Sequence, residues 1–120
     1  MTKPHHKLLV WNRSLALVTH VYQTTSKFPQ EERFGLVAQM RRAAVSIPSN
    51  IAEGAARNTR KEFANFLYIA QGSIAELETQ ILISRELGFV ESRTSSAILK
   101  ELDEISKMII GLQKSLRSPN

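Results

Sequence analysis

The chain has 120 residues, 42% of them apolar and 22% charged, which fits one domain over 1–120 and excludes both a second independent core and a disordered chain. Cysteine is absent, so disulfides, thiolate catalysis and Cys-built zinc sites are excluded. Sixteen Lys and Arg against eleven Asp and Glu leave a net charge of +5, a balance that favours polyanionic partners because attraction to phosphate needs no special geometry.

The start carries Lys3, Pro4, His5, His6 and Lys7 with no long apolar segment after it, so it does not read as a secretory signal. No apolar run approaches the roughly 20 residues of a membrane span, and the expected compartment is the cytoplasm, with no membrane partner. A first helix is predicted over 7–25. Leu8, Trp11, Leu15, Val18 and Tyr22 recur at spacings of three or four and form its expected core face. Phe28-Pro29 breaks the chain, and a second helix is predicted over 30–56 with Glu31 and Glu32 in its first turn, where the helix dipole favours negative charge. Its core face reads Phe34, Val37, Met40, Ala44, Ile47 and Ile51, and Pro48 inside it is expected to kink the helix.

Asn58 or Thr59 can cap a third helix over 59–87, with Glu62 completing a capping box. Phe63, Phe66, Leu67, Ala70, Ile74, Leu77 and Ile81 make its buried stripe. Gly88 supplies a left-handed stop, and Phe89-Val90 would tuck back onto the bundle. A fourth helix over 93–117 turns Ile98, Leu102, Ile105, Ile109, Leu112 and Leu116 inward and stops at Ser118, Pro119 and Asn120. No segment shows the two-residue alternation of a strand. The expected fold is all-α, an antiparallel up-down four-helix bundle.

Two helices hold more apolar surface than one core stripe requires. On the first, Val10, Leu17 and Val21 lie away from the Leu8–Leu15 face. On the third, Ile69, Ile83 and Leu87 line up with Gly72, opposite Phe63 and Ile74. A glycine in a helix interior costs about 1 kcal/mol relative to alanine, so close packing at Gly72 would account for it. These seven residues are the expected contact surface of a homo-oligomer.

The second helix also carries a polar line, Gln39, Arg42, Ser46, Asn50, Glu53 and Arg57, beside its apolar face. Gln39, Ser46, Asn50 and Glu53 suit a hydrogen-bonded layer that fixes register, because half-buried polar groups need partners. Arg41, Arg42, Arg57, Arg60 and Lys61 bring five cations to this helix and the joint after it, and guanidinium groups match phosphate in geometry as well as charge. They are the expected nucleic-acid contacts, with Arg42 also a candidate to pair with Glu53.

The order of signals resembles the four-helix-bundle family of proteins encoded in intervening sequences of 23S ribosomal RNA genes, also called S23 ribosomal proteins. Its carriers are Trp11, Ser14-Leu15, Tyr22, Phe28-Pro29, Glu32, Phe34-Gly35-Leu36, Gln39-x-Arg41-Arg42-Ala43, Ser46-Ile47, Asn50-Ile51-Ala52-Glu53-Gly54, Glu62-Phe63, Phe66-Leu67, Ala70, Gly72-Ser73 and Glu76-Leu77. The resemblance implies a bundle assembling as a ring-like homopentamer. It also implies kinship with an accessory protein of diversity-generating retroelements, which partners a reverse transcriptase and binds nucleic acid through a basic surface.

Residues for catalysis are scarce. His5, His6 and His20 are the only histidines, no zinc-binding spacing occurs, and the five glycines are isolated rather than gathered in a phosphate loop. No metal, cofactor or enzymatic activity is expected. The reading is a homo-oligomer that binds RNA or DNA through the backbone, with little base stacking because most aromatics face the core. A scaffold for an acidic protein partner is the alternative, with charge steering the encounter.

Overall fold

The computed structural model describes residues 3–117. Four helices account for most of them: α1 Leu9–Thr25, α2 Leu36–Ala55, α3 Arg60–Glu86 and α4 Ser92–Arg117. A 3-10 turn, Pro4–Lys7, precedes α1, and a second, Gln30–Glu32, lies in the joint before α2. The stop expected at Ser118, Pro119 and Asn120 lies outside the described residues.

Cross-helix hydrogen bonds fix the topology. Ser46 Oγ meets Ser73 Oγ at 2.8 Å between α2 and α3, and Ser106 Oγ donates to Gln71 Oε1 at 3.0 Å between α4 and α3. Arg13 and His20 on α1 reach Glu104 and Glu101 on α4 at 3.2 and 2.8 Å. Residue numbers of the paired positions rise on one helix and fall on its neighbour, as in Met40–Ser84, Ser46–Ser73 and Gly54–Phe66, so adjacent helices are antiparallel. The helices follow one another around a four-sided bundle of 49 × 25 × 20 Å. No described helix is long and apolar enough to cross a membrane.

The core runs along the bundle axis through Leu17, Val21, Met40, Ile47, Ile51, Leu67, Leu77, Ile81, Leu102, Ile105 and Ile109, all essentially buried. Each such side chain contributes about 1.5–3 kcal/mol by leaving water. The joints follow local chemistry. Thr59 Oγ1 accepts the Glu62 N–H at 3.1 Å and so caps α3. At the other end Gly88 takes φ +78°, and the Phe89 N–H returns to the Ser84 carbonyl at 2.9 Å, which seats the Phe89 ring against Phe28. Pro48 sits inside α2, buried, and the helix continues past it.

Three expectations are corrected. The second helix starts at Leu36 and not near residue 30, because Gly35 (φ −105°, ψ −107°) separates the Gln30–Glu32 turn from α2. That leaves Phe34 in the joint, 90% exposed instead of buried. The third correction is to the face of α1. Val10, Leu17 and Val21, expected at a subunit contact, are 5%, 0% and 0% exposed within the chain's own core, so they offer no surface to another copy. Leu15 and Tyr22, expected in the core, face outward. Ser14 and Thr25 complete the inner face, and each hydroxyl is satisfied by a carbonyl of its own helix, Trp11 at 2.8 Å and Val21 at 2.7 Å.

Candidate nucleic-acid interface

Up-down topology gathers three separate stretches at one end of the bundle. The Pro4–Lys7 turn packs against the last part of α2, the 56–59 joint crosses beside it, and α4 finishes alongside the first turns of α3. The cations there are Lys3, Lys7, Arg57, Arg60, Lys61, Lys114 and Arg117, all exposed, and the acids are Glu53 and Glu62. Seven against two is the whole of the chain's +5, since nine of each sign remain elsewhere. Arg57 is held twice: it donates to Glu53 Oε2 at 2.9 Å, and its guanidinium lies 4.9 Å from the centre of the Phe66 ring. His5 packs edge-on against Trp11, with ring centres 4.7 Å apart, and so pins the Pro4–Lys7 turn and its lysines to the start of α1.

The five cations expected at the interface do not form one patch. Arg57, Arg60 and Lys61 belong to this basic end. Arg42 stands about 22 Å away from Arg57 at 1.5 Å per residue. It is exposed, and Glu53 pairs with Arg57 instead of with it, because Arg57 is one helical turn from Glu53 and Arg42 is three. Arg41 is engaged in the fold: Nε donates to Thr25 Oγ1 at 3.0 Å, a terminal nitrogen donates to the Tyr22 carbonyl at 3.3 Å, and the guanidinium stacks 4.4 Å from the Tyr22 ring. Lys3, Lys7, Lys114 and Arg117 were missed. The signal that finds them is the topology itself, which brings the start of the first helix and the end of the fourth to the 56–61 joint.

Of the expected polar layer, Ser46 and Asn50 are half-buried and linked, with Asn50 Nδ2 donating to the Ser46 carbonyl and Oγ at 2.8 and 2.9 Å. Gln39 and Glu53 are exposed. Ile69, Gly72, Ile83 and Leu87, from the expected contact surface, lie on the outside of α3. Most aromatics turn inward as expected, with Phe28 buried and Trp11, Phe63, Phe66 and Phe89 half-buried, while Tyr22, Phe34 and Tyr68 are exposed. A hollow of about 600 Å³ at the opposite end, lined by Lys27, Phe89 and Glu91 among others, gathers no cluster of like charge. Among the described residues no three of His, Cys, Asp and Glu come together to hold a metal.

Comparison with known proteins agrees with the fold. A crystal structure of a protein of unknown function from the S23 ribosomal protein family of Bacteroides thetaiotaomicron superposes with a TM-score of 0.80 at 24% identity, covering 88% of this chain and 99% of that one. No curated protein matches the chain. The 23S rRNA-intervening sequence protein family matches over residues 6–111. The four antiparallel helices and that match across most of the sequence place the chain in one group: it belongs to the 23S rRNA-intervening sequence protein family.

Proposed function

We propose that the protein is a non-enzymatic, homo-oligomeric nucleic-acid-binding protein of the cytoplasm, and that its basic end grips the phosphate backbone of RNA or DNA. The observation that carries this reading is the concentration of the entire net charge at one pole of the bundle. A polyanion meets there exposed lysines and arginines from three segments, and the two carboxylates present do not balance them. The aromatic rings near the pole, Trp11, Phe63 and Phe66, are half-buried in the fold, so binding is driven by charge and counterion release and is weakly selective for sequence. By resemblance the assembly has five copies.

Titration against mixed-sequence RNA and duplex DNA across a salt series tests this. Affinity should fall steeply with salt. Replacing Lys7, Lys61 and Arg117 with alanine should weaken binding to all sequences alike and lower the log–log salt slope on duplex by roughly two to three, at about 0.9 per phosphate contact. Arg42→Ala should change neither. Affinity that does not respond to salt, or a triple variant that binds as well as the parent, would overturn the reading. Competition by poly-glutamate but not by nucleic acid would point to an acidic protein partner instead.

A further inference from the structure

An apolar groove runs along the outside of α1 and α2. Two hollows of about 570 and 470 Å³ meet at Val45 and carry it from Ala38 to Ala52 of α2, about 21 Å at 1.5 Å per residue. Trp11, Val18 and Pro48 lie along its floor, and Leu15, Tyr22 and Val45 are exposed on its walls. Its charge is segregated. Arg33, Arg41 and Arg42 line the half that ends at the exposed Phe34, whereas no charged residue lines the half beside Trp11. None of the described lining residues is a carboxylate. Arg41 is already held by Thr25 and Tyr22, so its charge loses little freedom on meeting an anion.

We propose that this groove docks an amphipathic helix of a protein partner, about four turns long, apolar along one side and carrying its carboxylates at the end that meets Arg33, Arg41 and Arg42. Three features select that chemistry. The groove lies between two helices, which offer no unpaired backbone edge to a strand, whereas a helix satisfies its own backbone and needs only seats for side chains. Its length matches about 14 helical residues. Its apolar half and its arginine half fit a partner whose apolar and acidic residues are segregated in the same way. Single-stranded nucleic acid fits less well. Arg41 covers one face of the exposed Tyr22 ring, and the Trp11 half offers no cation to a backbone charged at every nucleotide. The inference is independent of what the basic pole binds, since none of the pole's cations lines the groove.

Trp11 is the only tryptophan of the chain and lines the groove, so its emission reports occupancy. The probe is a synthetic helical peptide of about 14 residues, free of tryptophan, with leucines along one face and three glutamates at one end. Titrated into the full chain, it should shift the Trp11 emission to the blue. A version with glutamine for the glutamates should bind about tenfold more weakly, and one with serine for the leucines should not bind. Val45→Glu, at the junction of the two hollows, should abolish the shift. Arg33→Ala with Arg42→Ala should remove the advantage of the glutamates and leave the affinity for the glutamine peptide unchanged. All three side chains are exposed, so these variants should retain the helical circular dichroism of the parent. Replacing Lys7, Lys61 and Arg117 with alanine should leave peptide binding intact, which separates this proposal from the reading of the pole. No shift, equal affinity for the glutamate and glutamine peptides, or unaltered binding to the Val45→Glu variant would overturn the proposal. Displacement of the peptide by an equal concentration of single-stranded DNA would assign the groove to nucleic acid, and binding seen only after dilution to single chains would assign it to a second copy. Either would overturn the proposal as well.

Discussion

Two glycines on the α2–α3 side of the molecule answer to different neighbours. A β-carbon on Gly54 would stand 2.8 Å from Phe66 Cβ and 2.9 Å from Phe63 Cδ1, closer than atoms can approach without displacing α3. Overpacking of this kind costs about 1–3 kcal/mol. Gly54→Ala is therefore expected to lower the midpoint of urea unfolding despite the better helix propensity of alanine, and an unchanged midpoint would mean that the two helices adjust freely. Gly72 has open space where Gly54 has two phenylalanines. Gly72→Ala should therefore raise the stability of the single chain by about 0.5–1 kcal/mol, the propensity difference alone. Destabilisation would show that its neighbour lies within the chain.

At the scale of elements, Arg41 adds side-chain hydrogen bonds to the apolar packing of α1 on α2. Arg41 on α2 donates to the Thr25 hydroxyl and to the Tyr22 carbonyl in the last turns of α1, and that carbonyl also accepts the Ser26 N–H. Arg41→Ala is expected to cost about 1–2 kcal/mol in thermal or urea unfolding, within the range of hydrogen bonds from charged donors, and Arg41→Lys should recover only part because an ammonium cannot reproduce the fork. Arg42→Ala, one residue on, should leave the stability of the dissociated chain within about 0.5 kcal/mol. The four helices were legible because each repeats apolar residues at three and four over several turns. The inner face of α1 was not. The line Leu8, Trp11, Leu15, Val18 and Tyr22 looks more apolar but runs along the edge of the core, with Leu15 and Tyr22 exposed, whereas the inward line mixes Val10, Leu17 and Val21 with Ser14 and Thr25. Those hydroxyls are silenced by bonds to their own helix, which periodicity alone does not register. The start of α2 was misread for a related reason, since Glu31 and Glu32 look like a first turn until Gly35 interrupts the chain after them. Three of the seven cations of the basic site were legible as a run at 57–61. The rest sits at distant positions that only antiparallel packing brings beside it.

For the whole molecule, the separation of the two surfaces matters more than either alone. The basic pole lies at the end formed by the Pro4–Lys7 turn, the 56–59 joint and the close of α4, while Phe34 lies in the joint at the opposite end of a 49 Å bundle. In the proposed homo-oligomer a long polyanion can engage several poles at once. Binding at a second pole is then intramolecular, and avidity can exceed the affinity of one pole by about 10²–10⁴ when the ligand spans the distance. The parent should therefore prefer a long duplex over one too short to reach two poles by far more than the count of sites predicts. Protein diluted until light scattering finds single chains should lose most of that preference while keeping its affinity for the short duplex, because no pole residue is changed. Fluorescence anisotropy with duplexes of graded length measures both. Equal length preference in assembled and dissociated protein would mean that the poles act singly.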